Sequence, residues 1–187
     1  MSMKSGQSNE FNIVIESLDK EHERILQFSE ILDTLKAICE EYYLIRHYAD
    51  LNDNGELKRE HYHAVIRLSK RIRKMTLINL LAQALNINVN MISCDILYNK
   101  RSAVRYLIHL DNPEKYQYEE LNIFTNCDGD LFNILHYDIS NLDTEQLIDI
   151  VKNCKGAKLE IMRVLGLKTY NQYWRMIEII IREIYID

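Results

Sequence analysis

The chain has 187 residues, enough for one substantial core or a core domain with a small helical appendage, and too few for two large domains. A hydrophobic content of 47%, a charged fraction of 27%, five glycines and one proline exclude disordered and fibrous classes. The net charge of −5 is unevenly placed: residues 58 to 105 carry ten Lys or Arg against Glu60 and Asp95, a local balance of +8 that leaves −13 to the rest.

A basic middle between acidic ends fits a polyanion-binding surface in an acidic protein. The longest apolar runs, MTLINLLAQAL and MIEIIIREIYI, are too short or too interrupted by charge to span a bilayer, and MSMKSGQSNEF lacks the apolar segment of a signal peptide. A cytoplasmic protein with no membrane partner is therefore expected. The four cysteines are scattered with no CxxC pair, so they read as small buried hydrophobes rather than as a zinc knuckle or a disulfide framework.

In chain order, residues 1–8 are polar and predicted disordered. FNIVIES alternates as a strand, and LDKEHERILQFSEILDTLKAICEE places Ile25, Phe28, Ile31, Leu32, Leu35 and Ile38 at helical spacing. EYYLIRHYAD reads as a second strand, DLNDNGEL as a turn, and HYHAVIRL as a third strand pairing back on the second. KMTLINLLAQALN is a predicted helix, VNMISCDILY a fourth strand, SAVRYLIHL a short helix ended near Asn112-Pro113, and ELNIFTNC a fifth strand. The order βαββαβαβ over 9–140 predicts an α+β domain with one antiparallel sheet, helices on one face and the other face free to bind. From Asp138 the grammar is helical only, with a boundary near Ser140 and a domain at 141–187 for oligomerisation or DNA binding.

Three of the six histidines fall within HYADLNDNGELKREHYH, residues 47–63. Successive strand side chains point to opposite faces, so His61 and His63 project from one face about 6.6 Å apart at the backbone. His47 and Asp50 close the preceding strand, and the turn brings them beside His61 and His63. Three imidazoles and a carboxylate form a mixed N/O set that suits Mn²⁺, Mg²⁺, Zn²⁺ or Ni²⁺ with positions left open, whereas a structural zinc site would favour thiolates. Downstream, Tyr106 and His109 are three apart on a predicted helix whose start carries Lys100, Arg101 and Arg105. A phenol, with a solution pKa near 10, becomes a useful nucleophile only with help from positive charge or a base. Tyr98, Tyr116 and Tyr118 are nearby alternatives.

These motifs resemble the HUH endonucleases and, within them, the initiator proteins of small rolling-circle plasmids. His61-Tyr62-His63 matches the two histidines around a bulky residue, His47-Tyr48-Ala49-Asp50 matches the H-x-x-D element on the preceding strand, and Arg105-Tyr106-Leu107-Ile108-His109 matches the nucleophile's helix. Many relatives carry lysine three residues after the tyrosine, where this chain has His109. The resemblance covers roughly residues 9 to 137 and implies a ferredoxin- or RRM-like nuclease fold. It further implies metal-dependent (Mn²⁺ or Mg²⁺) nicking and rejoining of single-stranded or extruded origin DNA by Tyr106, through a 5′-phosphotyrosine, with Lys70, Arg71, Arg73, Lys74, Lys100, Arg101 and Arg105 on the phosphate backbone. A host helicase and further copies of the chain are candidate partners. The competing reading is a non-catalytic, metal-containing DNA-binding regulator on the same fold.

Overall fold

The computed structural model describes residues 6–19, 24–136 and 142–185. The chain divides into two compact units, one of Met1–Tyr98 with Tyr106–Asn126, the other of Asn99–Arg105 with Cys127–Asp187. Among the described residues, seven α-helices accompany a five-stranded antiparallel sheet and a short two-stranded ribbon.

The sheet belongs to the first unit. Its strands β1 (Gln7–Glu16), β4 (Glu41–His47), β5 (His61–Arg73), β6 (Ile92–Ile96) and β7 (Phe124–Thr125) stand in the order β6-β1-β5-β4-β7. The ribbon pairs β2 (Leu18–Asp19) with β3 (Arg24–Ile25). Period-two alternation sorts the side chains. Ile13, Ala64 and Leu44 lie opposite one another across three strands, as do Phe11, Ile66 and Tyr42, and all six are buried. They meet Ile31 and Leu35 of α1 (Phe28–Ile38) and Leu77, Leu81 and Leu85 of α2 (Lys74–Leu85) in one core. Each such fully buried aliphatic side chain contributes about 1.5–3 kcal/mol.

On the opposite face, His47 lies across from His61, and Ile45 and Val14 lie across from His63. This face is only half open. Leu107, Ile108 and Tyr118, which follow in the chain, are buried, and the carbonyl of Leu107 and the ring of Tyr118 both meet His47. The ends of β1 and β5 remain uncovered.

The long helix expected from residue 18 begins only at Phe28. Leu18–Asp19 and Arg24–Ile25 pair as the ribbon instead, with buried Asp19 accepting from the backbone N–H of Asn88 and Arg24 donating to the carbonyl of Leu85. A reciprocal Gln27–Glu30 capping box then starts the helix. The expected fifth strand shrinks to Phe124–Thr125 and is followed at once by a helix the sequence reading missed.

The second unit holds that helix, α4 (Asp128–His136), with α5 (Thr144–Asn153), α6 (Lys158–Leu165), α7 (Leu167–Tyr185) and the first turns of α3 (Lys100–Leu107). Leu147, Ile150, Val151, Ile161, Val164, Ile177, Ile180 and Ile181 form its core. Trp174 is half exposed, while Ile177, Ile180 and Ile181 of the same helix are buried. The anticipated boundary near Ser140 lies outside the described residues. No described helix is long and apolar enough to cross a membrane.

Candidate metal and phosphotransfer site

The ladder between β4 and β5 places the first three histidines. Beyond His47 the two strand ends continue as a tight ribbon, with Lys58 N–H donating to the carbonyl of Asp50 at 2.7 Å and a Leu51–Leu57 bridge. Gly55, at φ 77°, and Asn52, whose side-chain oxygen accepts from the N–H of Asn54 and of Glu56, close the turn. Asp50 is thereby held over the strand ends.

His47 is fully buried, stacked between His63 and Tyr118 with ring centroids 4.4 Å away on each side. Its Nε2 lies 2.7 Å from the Leu107 carbonyl, which can only accept, so the proton sits on Nε2 and the Nδ1 lone pair faces Asp50 Oδ2 at 3.1 Å. His61 is oriented the other way round: Nδ1 donates to the Arg59 carbonyl at 2.8 Å, leaving the Nε2 lone pair 3.5 Å from the same carboxylate oxygen. His47, His61 and His63 each offer a ring nitrogen within 4.8 Å of the others.

Burial lowers the pKa of His47, and burial with the neighbouring imidazoles pushes His63 down to about 2, so both rings are held neutral. Burial alone would raise the pKa of Asp50, but His47 and a hydrogen bond from Tyr118 outweigh it and keep the carboxyl below its ordinary value. Lone pairs and a carboxylate thus converge with no proton between them, and His63 Nδ1 is buried without a hydrogen-bond partner. That donor set fits a divalent cation: neutral imidazoles and one carboxylate are suitable ligands, and a cation resolves the facing acceptors.

The same shifts fix a pH dependence. His47 and His63 have folded pKa values below the unfolded 6.5, so the unfolded chain binds more protons as pH falls and stability is lost downward from about pH 6.5. The contribution of Asp50, present above its unfolded value of 3.8, is lost only as pH falls further, through its lowered folded value. Urea denaturation in chelator is expected to show unfolding free energy dropping between pH 7 and 5, by up to about 1.4 kcal/mol per pH unit per histidine. A flat profile would contradict this assignment.

Facing the cluster is an open cleft of ≈ 1010 Å³ floored by Val14, Glu16, His61 and His63, with the Asp50–Arg59 ribbon as one wall and Tyr106, Lys115 and Tyr116 as the other. The Tyr106 ring is 6.1 Å from that of His63, and its phenol oxygen accepts from Lys115 Nζ at 2.6 Å. The ammonium also lies 4.6 Å from the ring centroid.

The structure therefore brings together His47, Asp50, His61, His63 and Tyr106. His109 joins them from behind, its ring centroid 4.9 Å from that of His47 and 5.2 Å from that of Tyr106. It ends α3 in a left-handed conformation, φ 58°, and is buried, packed edge-on to His47 with Nδ1 hydrogen-bonded to the Tyr116 carbonyl at 2.7 Å. It also groups with His47 and Asp50, but the ring nitrogen 4.0 Å from Asp50 is the one engaged by Tyr116. Tyr118 is buried, and burial pushes its phenol up to about 12; it donates to Asp50 Oδ1 at 2.9 Å and supports the cluster from behind.

The basic residues are distributed otherwise than their sequence positions led one to expect. Lys100 is buried against Asp130, while Arg101 and Arg105 donate to the carbonyls of Asn133, Ile134 and Leu135 at the C-terminal end of α4, a structural use within the second unit. Lys70 stands nine residues along β5 from His61, about 30 Å away, with Arg71, Arg73 and Lys74 beyond it. Arg71 donates to the Gln7 carbonyl and Lys74 pairs with Asp95. The cations at the cleft are Lys58, Arg59 and Lys115. Lys115 was missed because it follows Tyr106 by nine residues, across chain that leaves α3 and has no regular period to align the two.

The family model described as plasmid replication protein, origin binding domain, matches residues 3–132. Replication protein RepB of Lactiplantibacillus plantarum is 37% identical over 89 residues, 48% of this chain and 38% of that protein. A replication protein of Staphylococcus aureus is 27% identical over 86 residues, 45% of this chain and 41% of that protein. The matched stretches thus span less than half of either relative. The family model's stretch contains the histidine cluster and the Tyr106 cleft, and it covers more than half of the sequence: the chain belongs to the family of plasmid replication protein origin binding domains.

Proposed function

We propose that this chain is a rolling-circle initiator that nicks and rejoins one strand of its plasmid's origin, with Tyr106 as nucleophile. The observation that carries this reading is one cleft lined by Asp50, His61, His63 and a phenol oxygen already hydrogen-bonded to a lysine, with His47 buried against Asp50, His61 and His63. A divalent ion held by those four residues would polarise the scissile phosphate and neutralise the charge developing on it.

The side chains account for the remaining steps. The cleft admits a single strand, and Lys58 and Arg59 on its rim meet the phosphate backbone. Lys115 fixes the direction of the Tyr106 oxygen and places a positive charge beside it. The phenol's proton passes to solvent, its oxygen bonds to phosphorus, and the bond from phosphorus to the 3′ oxygen breaks, that oxygen taking a proton from solvent to become the free 3′ hydroxyl. The strand stays attached through a 5′-phosphotyrosine, so the reverse reaction needs no nucleotide cofactor. Tyr118 and His109 hold Asp50 and His47 in place.

The test is incubation of the protein with Mn²⁺ and single-stranded oligonucleotides from the plasmid's origin. A covalent protein–DNA adduct that disappears with chelator is the expected result. Specific binding with no adduct on any origin oligonucleotide would favour a non-catalytic regulator. Lys115→Met is expected to slow single-turnover adduct formation about 100-fold, with a much smaller change in affinity for the strand, and Lys115→Arg to recover part of the rate. Equal rates for wild type and Lys115→Met would remove the lysine from the chemistry.

A further inference from the structure

Two aromatic rings beside the cleft have no role in the core. Tyr48 and Tyr116 are 48% and 46% exposed, edge to face with centroids 5.9 Å apart. Both rest on buried Tyr118, whose ring is edge-on to them at 5.4 and 4.8 Å.

Their positions are fixed by the site itself. The N–H of Tyr48 donates to the Tyr118 oxygen at 3.0 Å while that hydroxyl donates to Asp50, and the carbonyl of Tyr116 accepts from His109. The two rings are therefore held by the same residues that hold the donor set. Tyr116 also follows Lys115, the residue bonded to the Tyr106 oxygen, and lines the same cleft. Half-exposed aromatic rings, packed on a buried one and next to the proposed phosphate-handling centre, match an unpaired nucleobase, which offers a π face of its own whatever its identity.

We infer that Tyr48 and Tyr116 form a base-stacking site for an unpaired nucleotide adjoining the scissile phosphate of single-stranded DNA. The inference rests on the reading that a single strand occupies the cleft. The site adds an anchor that is insensitive to salt, unlike the backbone contacts of Lys58 and Arg59, and it fixes the register of the strand relative to Tyr106.

The experiment uses the full chain with Mn²⁺ and origin oligonucleotides carrying 2-aminopurine singly at each position around the nick. With wild type, fluorescence at one position adjoining the nick is expected to be quenched on binding. Tyr48→Ala and Tyr116→Ala should lose that quench and about tenfold in affinity, with the salt dependence of binding unchanged, while Tyr48→Phe and Tyr116→Phe keep both. An abasic residue at the quenched position should weaken wild type by the same factor and erase its advantage over the alanine variants, a comparison that needs no altered protein to fold. Alanine variants that bind and quench like wild type, or an abasic residue that costs nothing, would overturn the stacking site while leaving the nicking reading intact. Wild type that neither binds nor joins any single strand would overturn both.

Discussion

Tyr106→Phe is expected to abolish the covalent adduct, lowering its rate of formation by about 10⁴-fold or more, because it removes the phenol oxygen that a lysine holds beside the histidine cluster. Among the alternative phenols, Tyr118 is buried and engaged with Asp50, Tyr116 turns its ring toward Tyr48, and Tyr98 is 95% exposed and does not line the cleft. The substitution removes one oxygen from a partly exposed side chain, an oxygen that accepts from Lys115, so unfolding free energy should change by less than about 1 kcal/mol. Metal affinity should be unchanged. Gel analysis of adducts, with urea denaturation and Mn²⁺ calorimetry on the same preparations, separates loss of the nucleophile from loss of the fold. Adduct yield near that of wild type would dismiss Tyr106.

The second large effect concerns the donor set. His63→Ala and Asp50→Ala are each expected to reduce Mn²⁺ affinity by about 100-fold or more, beyond the 10–100-fold that loss of a supporting hydrogen bond costs. Tyr118→Phe should fall in that milder range, because it removes the hydroxyl that donates to Asp50 Oδ1 but leaves the carboxylate in place. The two classes should differ in stability as well. His63 carries a buried, unpartnered Nδ1 and a pKa pushed to about 2, so its removal takes an unfavourably placed polar group out of the metal-free protein. Metal-free His63→Ala is therefore expected to lose less stability than truncation of a similarly buried aliphatic residue such as Ile13, which costs about 2–5 kcal/mol. Calorimetric titration of the three variants gives the ranking. Equal affinities across wild type and variants would place the ion elsewhere.

What the sequence discloses is set by how local the governing interactions are. His47, Asp50, His61 and His63 could be grouped because a strand's period of two and a short Asn/Gly turn determine which side chains meet. The helix faces of α1 and α2 follow from apolar spacing for the same reason. The ribbon strands Leu18–Asp19 and Arg24–Ile25 were misread as helix because Ile25 falls in phase with the true helix, and the contacts that decide the matter, Asp19 to Asn88 and Arg24 to Leu85, come from more than sixty residues away. The helix α4 hid behind a turn-like Cys127-Asp-Gly-Asp start, although Asp128 and Asp130 in its first turn are a helix signal. Charge was the least legible quantity. A count of Lys and Arg does not tell Arg105, committed to the carbonyls of α4, from Lys115, which reaches the phenol oxygen.

The most direct measurement is peptide mapping by mass spectrometry of the adduct formed with Mn²⁺ and an origin oligonucleotide. The account predicts a single modified site, Tyr106, bearing the nucleotides 3′ of the nick through a 5′ phosphate. Nucleotides found on any other residue, or a strand cut with no protein attached, would contradict it.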